Sequence, residues 1–322
     1  MLRSILLLAL SLLTLGISSW VNPSQAAEPF TIGLLPDTQF YSEKFPDTYI
    51  SQALWLREEY RAKRLNFVIG LGDIVQNPSE EKEWQNADKA AKILDGVVPY
   101  TIVPGNHDMV TTEVGLTRNT ALYRKYFPPS RYSAEPWYGG PMGEGNDNNF
   151  CRFEASGYKL LVISLEFCPS DEALAWAKKV IDDHPGHAVI VATHSYLGLK
   201  ERDKLGPTAY KIAGNSGEQM WEKFIAKNTR IFLVVSGHFS GVQQQVSKNE
   251  AGLPVLEILT DYQSTGNGGD GWLRTMRFVP AENKIYIDAY SPLLKQKHED
   301  SHHTLALPFD FSRLEVAAAV TK

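Results

Sequence analysis

Short unbroken runs of apolar, often β-branched residues recur along the chain: Thr31 to Leu35, Phe67 to Leu71, Tyr100 to Val103, Ala188 to Ala192 and Ile231 to Val235. Such runs are the pattern of strands covered on both faces. Between them the period becomes helical. Tyr49, Ala53, Leu56 and Tyr60 share one stripe. Trp84, Ala87, Ala91 and Leu94 share another, in a helix predicted to open with Asn77 as N-cap and Pro78 at the first helical position. Ser170 opens a third helix that aligns Leu174, Ala177 and Ile181, and Ser216 with Gln219 boxes a fourth ahead of Trp221, Phe224 and Ile225. Past His238 the alternation stops. Val255 to Leu259, Trp272 to Val279 and Lys284 to Tyr290 read as strands without helices between them. A hairpin is predicted to turn at Ser156-Gly157, with Cys151 facing Val162.

An α/β part thus runs into a β-rich part without a linker or repeat. The expectation is one domain over 27–300 and a peripheral tail over 301–322. Two long loops are expected, 109–149 and 195–214, and loops of that length are functional or disordered. The first is rich in aromatics and carries Arg118, Arg124 and Arg131, which either clamp a phosphate or belong to a lid.

The strands end in polar residues. Asp37 follows the first, Gly72-Asp73 the second, Gly105-Asn106-His107-Asp108 the third, then His194 and Ser236-Gly237-His238. In open α/β sheets the ligand site lies at the carboxyl ends of the strands. Carboxylates, an amide oxygen and imidazoles together suit divalent metals. Two cations sharing a carboxylate and a hydroxide hydrolyse phosphate esters efficiently.

The ordered set resembles the calcineurin-like metallophosphoesterase family, whose pattern is Asp-x-His, Gly-Asp, Gly-Asn-His-Asp/Glu, His and Gly-His-x-His, over roughly residues 31–240. The resemblance implies a four-layer α/β/β/α sandwich with two mixed sheets and a metal centre on its rim. It implies that Asp73 bridges two metals, that Asp37 binds the first, and that Asn106, His194 and His238 bind the second. His107 would be the general acid for the leaving oxygen, its imidazole oriented by Asp108, and a metal-activated hydroxide would attack.

Two positions depart from the family pattern: Asp37-Thr38-Gln39 and Gly237-His238-Phe239-Ser240. Both replace an imidazole of the first metal, leaving Gln39 and Ser240 as substitutes. The expectation is one or two divalent ions per chain, drawn from Mn, Fe, Zn, Mg or Ca, with the first site weakened and harder in character. The alternative is a non-catalytic exported module that binds a metal and a phosphorylated or glycan ligand, for which an acid at His107 has no use.

Composition narrows the partners. The chain has 322 residues, 43% apolar and 21% charged, an ordinary globular balance. Its net charge is −5 with no basic block, so nucleic acid is not expected and a small phosphoester is. Residues 1–26 combine Arg3, an apolar Ile5 to Ile17 and Ser24-Gln25-Ala26, the pattern of a signal peptide. Export to the periplasm or the medium follows, with no membrane attachment after cleavage. Oligomeric state is left open. Cys151 and Cys168 either form a disulfide or stay buried and free. Asp261 and Gln263, which follow a strand, are candidates to touch the site, whereas His298, His302 and His303 read as a surface cluster and Gly266 to Gly271 as a turn.

Overall fold

The computed structural model describes residues 27–315, so the signal peptide expected over 1–26 lies outside the described residues. Two mixed sheets of seven strands each dominate. The first sheet runs Gln296–Lys297, Lys284–Ser291, Leu273–Val279, Phe30–Leu35, Phe67–Gly70, Tyr100–Ile102, with Leu305–Pro308 also paired to Lys284–Ser291. The second runs Gly241–Lys248, Pro254–Asp261, Ile231–Ser236, Ala188–Thr193, Tyr158–Leu165, Asn149–Ala155, Tyr138–Pro141. In the first sheet three parallel strands, from Phe30–Leu35 to the edge Tyr100–Ile102, form one side and antiparallel strands the other; in the second a parallel centre is flanked by antiparallel strands on both sides.

Alternation along one strand shows the layering. In Tyr158–Leu165, Leu160 and Val162 join the core between the sheets, with Ile32, Leu34, Ile190 and Leu233. Leu161, Ile163 and Leu165 pack the other way, against Leu174, Ala177 and Ile181 of the helix Asp171–Asp183 and Phe224 of the turn Trp221–Ile225. On the first sheet, Tyr49, Ala53 and Leu56 of Pro46–Arg61 and Trp84 and Ala87 of Glu81–Ala91 form the outer layer. The result is the helix–sheet–sheet–helix sandwich that the sequence led us to expect. Each large apolar side chain buried this way contributes about 1.5–3 kcal/mol.

Local signals held where they were local. Ser170 accepts from the Ala173 amide, and Ser216 with Gln219 forms a full capping box. The hairpin turns at Ser156-Gly157 and sets Cys151 opposite Val162. Both cysteines are buried and free.

Three expectations change, and one strand goes unread. Asn77 is not an N-cap: the helix starts at Glu81, and Asn77 donates both its backbone and side-chain N–H to Glu83. The stretch 109–149 is not one loop. It holds the helix Ala121–Tyr126 and the edge strand Tyr138–Pro141, and its Tyr123, Tyr132 and Trp137 are buried in the main core. Gly241–Lys248 is a strand that polar Gln243, Gln244 and Gln245 concealed, because an edge strand need not be apolar. The segment from 301 is not peripheral as far as 315: Leu305–Pro308 extends the first sheet, and Phe311 and Leu314 join the core.

Candidate metal centre

Six strands deliver polar residues to one rim, three from each sheet. Asp37, Asp73 and Asn106 follow Phe30–Leu35, Phe67–Gly70 and Tyr100–Ile102; His194, His238 and Asp261 follow or end Ala188–Thr193, Ile231–Ser236 and Pro254–Asp261. Parallel strands all point the same way, so their carboxyl ends share an edge.

The centre gathers on His194, which is fully buried. Its Nδ1 lies 2.8 Å from the Leu71 carbonyl oxygen. A carbonyl only accepts, so Nδ1 carries a hydrogen and donates it. The other nitrogen, Nε2, then faces Asn106 Oδ1 at 3.1 Å, Asp73 Oδ1 at 3.2 Å and His238 Nδ1 at 3.2 Å. The two oxygens only accept hydrogen bonds, as does a ring nitrogen without a hydrogen. Four such atoms converge only around something electrophilic, a proton or a cation. Around a cation with bonds of about 2.1 Å, neighbouring ligand atoms stand about 3.0–3.4 Å apart, which matches these spacings. Asp73, His194 and His238 place a ligand atom each within 4.8 Å of one another. This donor set therefore fits a divalent cation.

The electrostatics agree. Burial alone disfavours a charged His194, but the Asp73 and Asp37 carboxylates outweigh it and push its pKa up to about 10. Burial likewise opposes a charged Asp73, yet His194 and the other imidazoles hold it down at about 2. His238 is pushed down to about 3, by burial first and by His194 second, which leaves it a neutral ligand.

The surroundings fix these side chains. The His107 backbone N–H donates to Asp73 Oδ1 at 2.9 Å. Asp73 and His238 hold left-handed backbone, with φ of 46° and 75°, a strain of order 1–3 kcal/mol that persists only where the surroundings dictate it. A methyl group on Gly105 would stand 2.1 Å from Asp73 Oδ1, so only glycine lets the two loops meet. Phe167 packs its ring 5.9 Å from that of His194 and 5.5 Å from that of His238, and Tyr210 lies 5.7 Å from His238. Neither aromatic, nor the Leu71 carbonyl, carries any signal in the sequence that would mark it.

Asp37 lies beside the group but apart from it. It is buried and accepts from the His238 amide at 3.3 and 3.2 Å. Burial, then the Asp261 carboxylate, raises its pKa. Gln263 stands between the two acids: its Nε2 lies 2.8 Å from Asp261 Oδ2, 3.4 Å from Asp37 Oδ2 and 3.5 Å from the His238 carbonyl. Asp261 and Gln263 thus do touch the site.

Of the substitutes for the missing imidazoles, Gln39 is buried and donates to the Gln76 side chain at 2.8 Å, leaving its own Oε1 buried without a donor. An orphaned acceptor of this kind fits a cation ligand. Ser240 does not fit the role. The chain turns there into the strand Gly241–Lys248, so Ser240 is exposed and its hydroxyl donates to Asp261 at 3.3 Å.

His107 is half-buried, and its Nδ1 donates to the Gln76 carbonyl at 2.9 Å, which leaves Nε2 for a reacting group. Asp108 does not orient it. The Asp108 carboxylate accepts instead from the Gly105, Ile74 and Val75 amides, at 2.7, 2.9 and 3.1 Å, and so staples the loop of Asp73 to that of Asn106. Nor do the arginines clamp the site. Arg118 pairs with Glu166, Arg124 with Asp147, and Arg131 with Asp88 and Asp95.

A sandwich with this rim of acids, amide and imidazoles has the architecture of a metal-binding phosphoesterase-like domain. Residues 30–240 match the calcineurin-like phosphoesterase family, and the chain belongs to it. Uncharacterized protein YvnB of Bacillus subtilis (strain 168) is 28% identical over 297 residues, which take in 89% of this chain and 22% of that protein. This chain thus spans a small part of that relative. Purple acid phosphatase PPD1 from yellow lupin (Lupinus luteus) seeds shares the fold, with a TM-score of 0.57 over 91% of this chain and 56% of that one, at 9% identity. GAP50 of Plasmodium aligns with a TM-score of 0.46 at 13% identity, covering 89% and 95% of the two chains.

Proposed function

We propose that the protein is an exported phosphomonoesterase or phosphodiesterase in which His107 is the general acid. The observation that carries the reading is the convergence of Asp73, Asn106, His194 and His238 on one point beside a His107 whose Nε2 is left free. Asp73, Asn106, His194 and His238 would hold one divalent cation, and Asp37 with Gln39 would hold a second more weakly. Bound there, such ions neutralise phosphoryl charge and let water act as a nucleophile near neutral pH.

The chain's own groups do the rest. The His107 amide holds Asp73 in place, and the Leu71 carbonyl fixes the ring of His194 so that Nε2 faces inward. Phe167 packs against the rings of both His194 and His238, and Tyr210 against that of His238. His107 gives the proton on its Nε2 to the departing oxygen, while the Gln76 carbonyl keeps Nδ1–H aligned. Export is supported by the pattern over 1–26; among the described residues no helix is long and apolar enough to cross a membrane.

The test is turnover of monoester and diester substrates with Mn, before and after chelation, in wild type and in His107→Ala. Activity should vanish on chelation. The variant should lose about 10²–10⁴-fold in kcat and keep its metal. A metal-loaded wild type that hydrolyses none of the esters would point to a binding module instead.

A further inference from the structure

A pocket of about 490 Å³ opens beside the centre, and Asn106 and His107 line it. If His107 protonates the leaving oxygen, as proposed above, whatever is attached to that oxygen must lie in this pocket, because a general acid works within hydrogen-bond reach, about 2.6–3.2 Å. The lining of the pocket therefore reports the chemistry of the leaving group.

One side of that lining is polar and neutral, from Gln76, Asn77 and Ser79; another is apolar and aromatic, from Met109, Leu116 and Tyr210. Amides and a hydroxyl suit hydroxyl groups on a ligand, and the second wall suits its carbon skeleton. Among the described residues no lysine or arginine lines it, and Glu80 is its carboxylate. The nearby arginines are bound elsewhere: Arg118 also donates to the Cys168 and Ala213 carbonyls at 2.6 and 2.5 Å, and the Arg131 side chain is only 8% exposed between two aspartates. A negatively charged leaving group would find repulsion from Glu80 and, beyond the His107 imidazolium that every leaving group meets alike, no cationic side chain in the lining.

We propose that this pocket receives an uncharged or cationic, hydroxyl-bearing alcohol, so that the substrates are phosphoesters of such alcohols and not pyrophosphates or esters of acidic alcohols. The volume accommodates a group of sugar or nucleoside size. Glu80 stands exposed at the mouth, so its influence is electrostatic and screened by salt.

Three phosphates whose two-carbon leaving group ends in an ammonium, a hydroxyl or a carboxylate test this on the Mn-loaded full chain: phosphoethanolamine, ethylene glycol phosphate and phosphoglycolate. Their methyl diesters run beside them, with the released alcohol identified, so that a diesterase is read on the same scale. The expected kcat/KM for the cationic and neutral esters exceeds that for phosphoglycolate by at least tenfold. Glu80→Lys should narrow the ratio threefold or more, mainly through KM, and 0.5 M salt should narrow it in wild type. Phosphoglycolate turned over as well as the others, or a ratio unmoved by Glu80→Lys, overturns the proposal while leaving the esterase reading intact. Hydrolysis of none of the esters overturns both.

Discussion

The α-carbon of Gly237 lies against the carboxylate of Asp37, so closely that a methyl group there would stand 2.2 Å from Asp37 Oδ1. The two residues are far apart in the chain, and the contact is what places the first acid beside the amide of His238. Gly237→Ala should push Asp37 away, costing about 1–3 kcal/mol of stability as an overpacked site does. It should also weaken the ion held by Asp37 before the one held by His194 and His238. Thermal melts with a Mn titration measure both; wild-type values for the two would show that the carboxylate can simply step aside.

Asp108 makes a prediction that separates a staple from an orienting group. Asp108→Ala leaves three buried amides without an acceptor, at about 1–3 kcal/mol each before relaxation, so a loss of at least about 3 kcal/mol is expected. Asp108→Asn keeps part of the network and should fold. Its pH–rate profile should coincide with that of wild type, since the His107 ring leans on Gln76. A displaced limb of that profile would restore the orienting role.

Gln263 bears on how many ions the centre holds. Its amide donates to both Asp261 and Asp37, which supplies those acids with hydrogen where a cation would otherwise be wanted. Calorimetric titration with Mn should show one tight ion per chain and a second at least about tenfold weaker. Gln263→Ala strips the acids of that donor and should tighten the second ion. A weaker second ion in the variant would mean that Gln263 turns its oxygen inward as a ligand.

The proton on His194 must leave when a cation arrives. Its pKa in the metal-free protein, about 10, lies above the ordinary value of 6.5. The raised value stabilises the metal-free fold fully below pH 6.5, and that contribution is lost as pH rises through about 10. At pH 8 the ring is charged, so metal uptake should release close to one proton. Mn titrations at pH 8 in buffers of different ionisation enthalpy count it. A release near zero would place the cation away from Nε2.

Much of the site was legible because the signals were local. Asp37, Asp73, Asn106, His194 and His238 each follow an apolar run, and the end of a run marks the end of a strand without knowledge of any other strand. The same reasoning found the capping residues of Ser170 and Ser216 and the Cys151–Val162 register, since a hairpin fixes its own pairing. It failed where polarity hid a strand, as at Gln243 to Gln245, and where a loop buried its aromatics, as at Tyr123, Tyr132 and Trp137.

The sequence by itself therefore determined the apolar strands, the longer amphipathic helices and the residues available to grip a metal, because these follow from patterns a few residues long. The tertiary structure alone decided which side chains meet. Gln263 reaches Asp37 across 226 positions, Asp108 turns to Ile74 and Val75 instead of to its neighbour His107, and the arginines spend their charge on Glu166, Asp147, Asp88 and Asp95. Partner choice depends on the order of strands in two sheets and on the angle at which they face each other, and no short window of sequence contains either.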